Sequence, residues 1–73
     1  ENNMERQRVS SSNLYSVGYD AQTLKLEVQF HTGRVYEYSN VPDWQYARLM
    51  GAISKGSYFD ANIKEKYITR RIL

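Results

Sequence analysis

Residues 23–38 read TLKLEVQFHTGRVYEY. In the first half Leu24, Leu26, Val28 and Phe30 alternate with Thr23, Lys25, Glu27 and Gln29. Successive side chains of a strand point to opposite faces, so this is the pattern of a half-buried antiparallel strand with one apolar side. His31, Thr32 and Gly33 then turn the chain, and residues 34–38 return as a second strand. A three-residue hairpin loop places glycine at its last position, where the backbone is left-handed. With Gly33 there, Phe30 faces Arg34, Val28 faces Tyr36 and Leu26 faces Tyr38. Both tyrosines then share the apolar face, and Glu37 joins Lys25 and Glu27 on the polar one. A slip of one residue would bury Glu37 without a partner. Tyr36 and Tyr38 are therefore read as core rather than as an open stacking platform.

Working outward, SSNLYSVGYD supplies an earlier strand over residues 14–19, closed by a turn at Asp20, Ala21 and Gln22. After the hairpin, NVPDWQYARLMGAIS predicts a helix from Pro42. Proline suits a first helical position, and Asp43 suits the positive end of the helix dipole. Tyr46, Leu49, Met50 and Ile53 fall on one helical stripe, whereas Trp44 lies outside it. Gly51 is a weak point in that helix. A second short helix is expected beyond Lys55 and Gly56, capped by Ser57, with Phe59, Ile63 and Tyr67 along one face. The expected fold is α+β: a three-stranded antiparallel meander with two short helices packed on one face. Residues 1–8 are expected to be a disordered end or expression remnant, residues 9–67 the domain, and residues 68–73 a basic tail. That tail reads either as a last strand or as a docked extension.

Seventy-three residues make one small domain, with a net stability on the order of 3–5 kcal/mol. The chain has no cysteine, which excludes disulfides and thiolate zinc sites, but it has seven tyrosines, two phenylalanines and one tryptophan to fill a core. The absence of a long apolar run argues against a membrane span or secretory leader, and points to a reducing cytoplasm. Formal charge is +2, unevenly spread. Residues 54–73 carry five basic and two acidic side chains, a net of +3, against −1 for the remainder.

Catalytic chemistry has little support. His31 is the only histidine and sits in the hairpin turn, and the carboxylates form no visible acid–base pair. No transition-metal set or phosphate-cradling glycine motif is present, so neither cofactor nor enzymatic activity is expected. Basic residues of the C-terminal third are candidates to neutralise phosphates. Tyr15, Tyr19 and Tyr58 are candidates to stack on bases. The alternative for those charges is that they only keep a small domain soluble.

Four stretches, SSNLYSVGYD, TLKLEVQF, VYEY followed by NVP, and LMGAISKGSYFDANIKEKY, together resemble the KTSC family in the family's own order. The family is named for its occurrence at the C-terminus of some lysyl-tRNA synthetases, and is also found as small proteins of bacteria and phages. The chain departs from the family pattern at Asp60, where asparagine is typical, at Asn62, where histidine is common, and at Ile53. The resemblance implies an RNA partner by association with a synthetase. It also draws attention to residues 54–59, SKGSYF, where a lysine beside a glycine at a helix entrance can present backbone N–H groups to an anion. An ordinary inter-helix turn with Gly56 at an unusual backbone angle is the other reading of that segment.

The expected function is thus a non-enzymatic RNA-binding domain for tRNA-like RNA. In it Arg34, Lys55, Lys64, Arg70 and Arg71 hold phosphates, Ser54 and Gly56 shape an anion-binding turn, and Tyr58 stacks. The first alternative is a protein-interaction module, encoded by a phage or mobile element and anchored by Trp44. The second is a small-nucleotide binder at residues 54–59.

Overall fold

The computed structural model describes residues 4–73. The hairpin at its centre has the register that the alternation dictates. Strand β3 (Lys25–Phe30) pairs antiparallel with β4 (Val35–Tyr38), placing Leu26 opposite Tyr38 and Val28 opposite Tyr36. Gly33 takes φ 95°, and its N–H reaches the Phe30 carbonyl at 2.9 Å while the Phe30 N–H reaches Arg34 O at 2.9 Å. A side chain at that φ would be strained, which is why glycine occupies the position.

Strand β2 (Leu14–Asp20) lies on the other side of β3. Leu14 and Val17 are three residues apart, so in a regular strand they would face opposite ways. A bulge between Leu14 and Ser16 lets both enter the core and leaves Tyr15 as the extra residue. The inward side chains of these strands meet Leu49, Phe59 and Ile63 from the helices in one apolar cluster. Tyr38 is 3% exposed within it, and Tyr36 packs at its margin. On the opposite face Glu27 and Glu37 stand directly across from each other, an arrangement that destabilises a sheet unless it is neutralised. Arg6 reaches Glu27 at 2.7 Å, while Lys25 and Arg70 reach Glu37 at 3.6 and 3.2 Å.

Among the described residues the sheet has five strands in sequential order, not three. Gln7–Arg8 forms β1 against β2, so the strand lies inside residues that the sequence reading assigned to a disordered end. Residues 1–3 of that end lie outside the described residues. The tail supplies β5 (Thr69–Arg71) against β4, with the Ile72 N–H donating to Val35 O at 2.9 Å. Every residue of β1 and β5 is exposed, so backbone pairing rather than burial holds these edges.

Three local expectations are also corrected. Leu24 does not join the inward set. It sits in the β2–β3 turn at φ 59°, where its carbonyl accepts the Val41 N–H at 2.9 Å. Helix α1 (Asp43–Gly51) is flanked by Pro42 at its N-cap and Ala52 at its C-cap. Ile53 therefore lies beyond the helix and is fully exposed, while Gln45 takes a buried place. Helix α2 (Lys55–Asn62) is capped by Ser54, which accepts the Ser57 N–H at 3.3 Å; Ser57 is not the cap. Trp44 remains outside the buried stripe, with the Arg48 guanidinium 5.2 Å from its ring centre.

Gly18 lies where the N-terminal segment crosses β2. A Cβ there would stand 2.9 Å from the Glu5 carbonyl oxygen and 3.1 Å from Arg6 Cγ. Gly18→Ala should displace that segment and cost about 1–3 kcal/mol. The expected signs are a lower urea midpoint and faster amide exchange in β1. An unchanged midpoint would mean that this crossing contributes nothing.

Candidate functional site

The loop before β2 is tied to the β3–β4 turn. Ser11 Oγ accepts the N–H groups of Asn13 and Leu14, each at 3.2 Å, which curls the serine-rich segment back on itself. The Asn13 carbonyl accepts the His31 N–H at 3.1 Å, and the His31 ring meets Ser11 O through Nε2 at 2.8 Å. Tyr15 closes this corner, edge-on to His31 at 5.5 Å and under the Arg8 guanidinium at 4.1 Å. His31 is thus a structural clamp whose other side opens into a cleft.

That cleft has a volume of about 670 Å³ and lies between the hairpin end, the serine loop, α2 and the start of β5. Its apolar wall comes from Phe30, Tyr36, Tyr38 and Phe59, whose rings meet edge to face at 5.4–5.8 Å. Arg34 and Lys64 bring positive charge to it, and Asp60 and Glu65 bring negative charge. A smaller recess of about 250 Å³ adjoins it, lined by the serine loop and by residues 53–57 at the entrance of α2. Ser12, Asn13 and Asp60 border both, so the two form one continuous concave surface.

This geometry divides the residues singled out in the sequence. Arg34 and Lys64 line the large cleft, and Ser54, Lys55 and Gly56 line the adjoining recess. Two polar side chains at the 54–57 turn are engaged within it: Ser54 caps the helix, and Lys55 Nζ donates to Ala52 O at 3.3 Å. Gly56 is helical and buried, and the unusual backbone angle considered for it is not found. Tyr58 is not free to stack, because its hydroxyl donates to Gln45 Oε1 and its ring packs against the core. Arg70 and Arg71 part company, since neighbours in a strand point to opposite faces. Arg70 joins Glu37 on the outer face, while Arg71 stands across from Tyr36. Trp44 lines neither recess.

Asn13, His31, Tyr36, Tyr38 and Asp60 are cleft residues that sequence reading did not assign to a site. For the tyrosines the register placed them correctly, but nothing in their spacing revealed that one end of the core is open. Burial pushes the Tyr38 phenol up to about 12, helped by the neighbouring Tyr36 and by the negative charge of Asp60. Tyr38 thus stays a protonated hydrogen-bond donor throughout the physiological range. Among the described residues no group of acidic, histidine or cysteine side chains is arranged to hold a metal ion, and no helix is long and apolar enough to cross a membrane.

Comparison with known proteins places this architecture. The KTSC domain model matches residues 10–67. The chain superimposes on the crystal structure of a KTSC domain protein from Yersinia pestis with a TM-score of 0.94 and 44% identity, covering 97% of this chain and all of that one. An uncharacterized protein of Stutzerimonas stutzeri (strain A1501) is 38% identical over 64 residues, which are 88% of this chain and 90% of that protein. A lysine–tRNA ligase of Trichormus variabilis is 43% identical over 49 residues, 67% of this chain but only 9% of the ligase. The chain belongs to the KTSC domain family.

The raised phenol has a consequence for stability. The folded state holds Tyr38 protonated, so its contribution is fully present below the ordinary value of 10.0 and is lost as pH rises towards about 12. Melting temperature should fall across that window, and Tyr38→Phe should flatten the fall. Equal slopes for the two proteins would show that Tyr38 does not resist ionisation.

Proposed function

We propose that this KTSC domain is a non-enzymatic RNA-binding module that takes unpaired RNA into the cleft beside its central hairpin. The observation that carries this reading is the pairing of an aromatic wall with cations at one concave surface. Tyr36 and Phe30 offer flat apolar area, and Arg34 and Lys64 stand at the same cleft. Single-stranded nucleic acid is bound by this combination of stacking surface and phosphate-neutralising charge. Arg71, across from Tyr36 on β5, and Lys55, at the adjoining recess, extend the positive surface beyond the cleft. The similarity to one segment of a lysine–tRNA ligase supports a tRNA-like partner. Arg70 has a smaller part in this reading than the sequence implied, because it is committed to Glu37.

A protein partner is the second reading, favoured by Trp44, which is 52% exposed on α1 with Arg48 against its ring. Aromatic and arginine side chains are common interface anchors. This reading expects a protein captured from cytoplasmic extract to survive nuclease treatment and to be lost in Trp44→Ala.

Fluorescence anisotropy with a tRNA-like hairpin bearing an unpaired end tests the first reading. Three or four phosphate contacts should give a log–log salt slope of about −2 to −3, at roughly −0.7 per contact on single strands. Arg34→Ala with Lys64→Ala should reduce the slope by about 1.4 and weaken binding at least about tenfold at low salt. Trp44→Ala should leave both unchanged. No binding at low salt, or binding indifferent to the double variant, would overturn the RNA reading.

A further inference from the structure

A polar group withdrawn from water is normally hydrogen-bonded, because leaving it unpaired is costly. Three partly buried tyrosines elsewhere in the domain show the rule. Tyr19 donates to Val41 O at 2.6 Å, Tyr58 donates to Gln45, and Tyr67 accepts from Gln45 Nε2 at 3.0 Å. Tyr38 meets it differently: its side chain is more deeply buried than any of these, but its hydroxyl, with no hydrogen-bond partner among the described residues, keeps contact with the water of the cleft, since no buried side-chain oxygen there is left unpaired. The residue lines the large cleft, fixed edge-on to Phe59 with ring centres 5.4 Å apart. Asp60 follows Phe59 on α2, borders both recesses and has no ion-pair partner among the described residues. Asp60 lines the same cleft as Tyr38, and its negative charge helps to raise the Tyr38 phenol.

We infer that Tyr38 and Asp60 form a base-reading floor in this cleft, and that the base they select is an unpaired guanine. The inference rests on the RNA-binding reading above and adds its specificity. The Tyr38 hydroxyl supplies a donor, and the Asp60 carboxylate supplies two acceptor oxygens and no donor. Their complement is a flat ring with one acceptor beside adjacent donors. Guanine alone among the four RNA bases has that edge: O6 accepts, and N1–H and the N2 amino group both donate. The other bases would each turn a lone pair towards the carboxylate. Adenine does so at N1, cytosine at N3 and O2, and uracil at the carbonyls flanking its single N–H. Phe30, Tyr36 and Phe59 give the ring an apolar bed, and Arg34 and Lys64 remain for the flanking phosphates. A volume of about 670 Å³ accommodates a nucleotide. The negative charge of Asp60 then has a role that a pure phosphate groove would not give it, since it repels phosphate and accepts from a base.

Heptamers carrying one variable nucleotide at the centre of a uridine run test this, with binding read by anisotropy at low salt. The guanine heptamer should bind about 10- to 100-fold more tightly than the other three, the discrimination of a well-formed bidentate base contact. Asp60→Asn, which keeps size and removes the charge, should bring the four affinities to within about threefold. Tyr38→Phe should weaken the guanine heptamer about tenfold relative to the all-uridine one, with the far-UV spectrum retained. Equal affinity for all four bases in the unmodified protein, with salt-dependent binding intact, would overturn guanine readout and leave the RNA reading standing. A guanine preference that survives Asp60→Asn would also overturn it. Failure of every heptamer and of the tRNA-like hairpin to bind would remove the RNA reading itself, and this inference with it.

Discussion

One pairing register governs this domain. When β3 meets β4 with Val28 across from Tyr36, a single face receives Leu26, Val28, Phe30 and both tyrosines. The other face receives Lys25, Glu27 and Glu37. A slip of β4 by one residue would send Glu37 towards the helices and two tyrosines into water, a loss that no local adjustment could offset. The chosen register has its own cost, because it sets Glu27 against Glu37. Cations from three different strands or strand ends answer it: Arg6 beside β1, Lys25 on β3 and Arg70 on β5. Individually such exposed pairs contribute little. Their importance lies in permitting a like-charge juxtaposition that the core demands, and they draw both edge strands into the same electrostatic arrangement.

The same register creates the cleft. Phe30 and Tyr38 pack edge-on against Phe59 of α2, which ends at Asn62, and Tyr36 packs on Phe30, yet all three also line an open cleft. The apolar face therefore extends beyond its cover, and its uncovered end is walled by the serine loop, Lys64 and the start of β5. The loop is held there by His31, through contacts of 2.8 and 3.1 Å to Ser11 and Asn13. A rigid hairpin thus carries the aromatic floor, and short connecting segments carry the polar rim, the usual division between scaffold and recognition surface.

What the sequence revealed follows from how local each signal is. Alternation over residues 25–30 and glycine at position 33 are local, and they set the register, the turn and the buried face, with Leu24 left in the preceding turn. Strands β1 and β5 carry no such alternation, since Gln7, Arg8, Thr69, Arg70 and Arg71 are all exposed. They are strands only because β2 and β4 have free edges, which is information from distant parts of the chain. Ile53 continued the 3.6-residue stripe on paper, but Gly51 and the extended Ala52 ended the helix first. The buried place fell to Gln45, whose amide is satisfied by Tyr58 and Tyr67. Site residues suffered in the same way. Arg70 and Arg71 read as one basic cluster until the strand separated them, and Asn13, His31 and Asp60 become neighbours only through tertiary folding.

The charge balance of the cleft decides what kind of binding surface it can be. Arg34 and Lys64 are offset by Asp60 and Glu65 at the same concavity, so no strong positive field is focused there. Long-range attraction of a polyanion would come mainly from Lys55 at the adjoining recess and Arg71 across from Tyr36, and a formal charge of +2 keeps that attraction modest. A groove built only to grip phosphates would have little use for two carboxylates beside its cations. Mixed charge, an aromatic bed and a phenol hydroxyl open to the cleft suit a site where contacts at short range supply the affinity. In such a site the cations orient the ligand backbone and the floor determines which ligand stays.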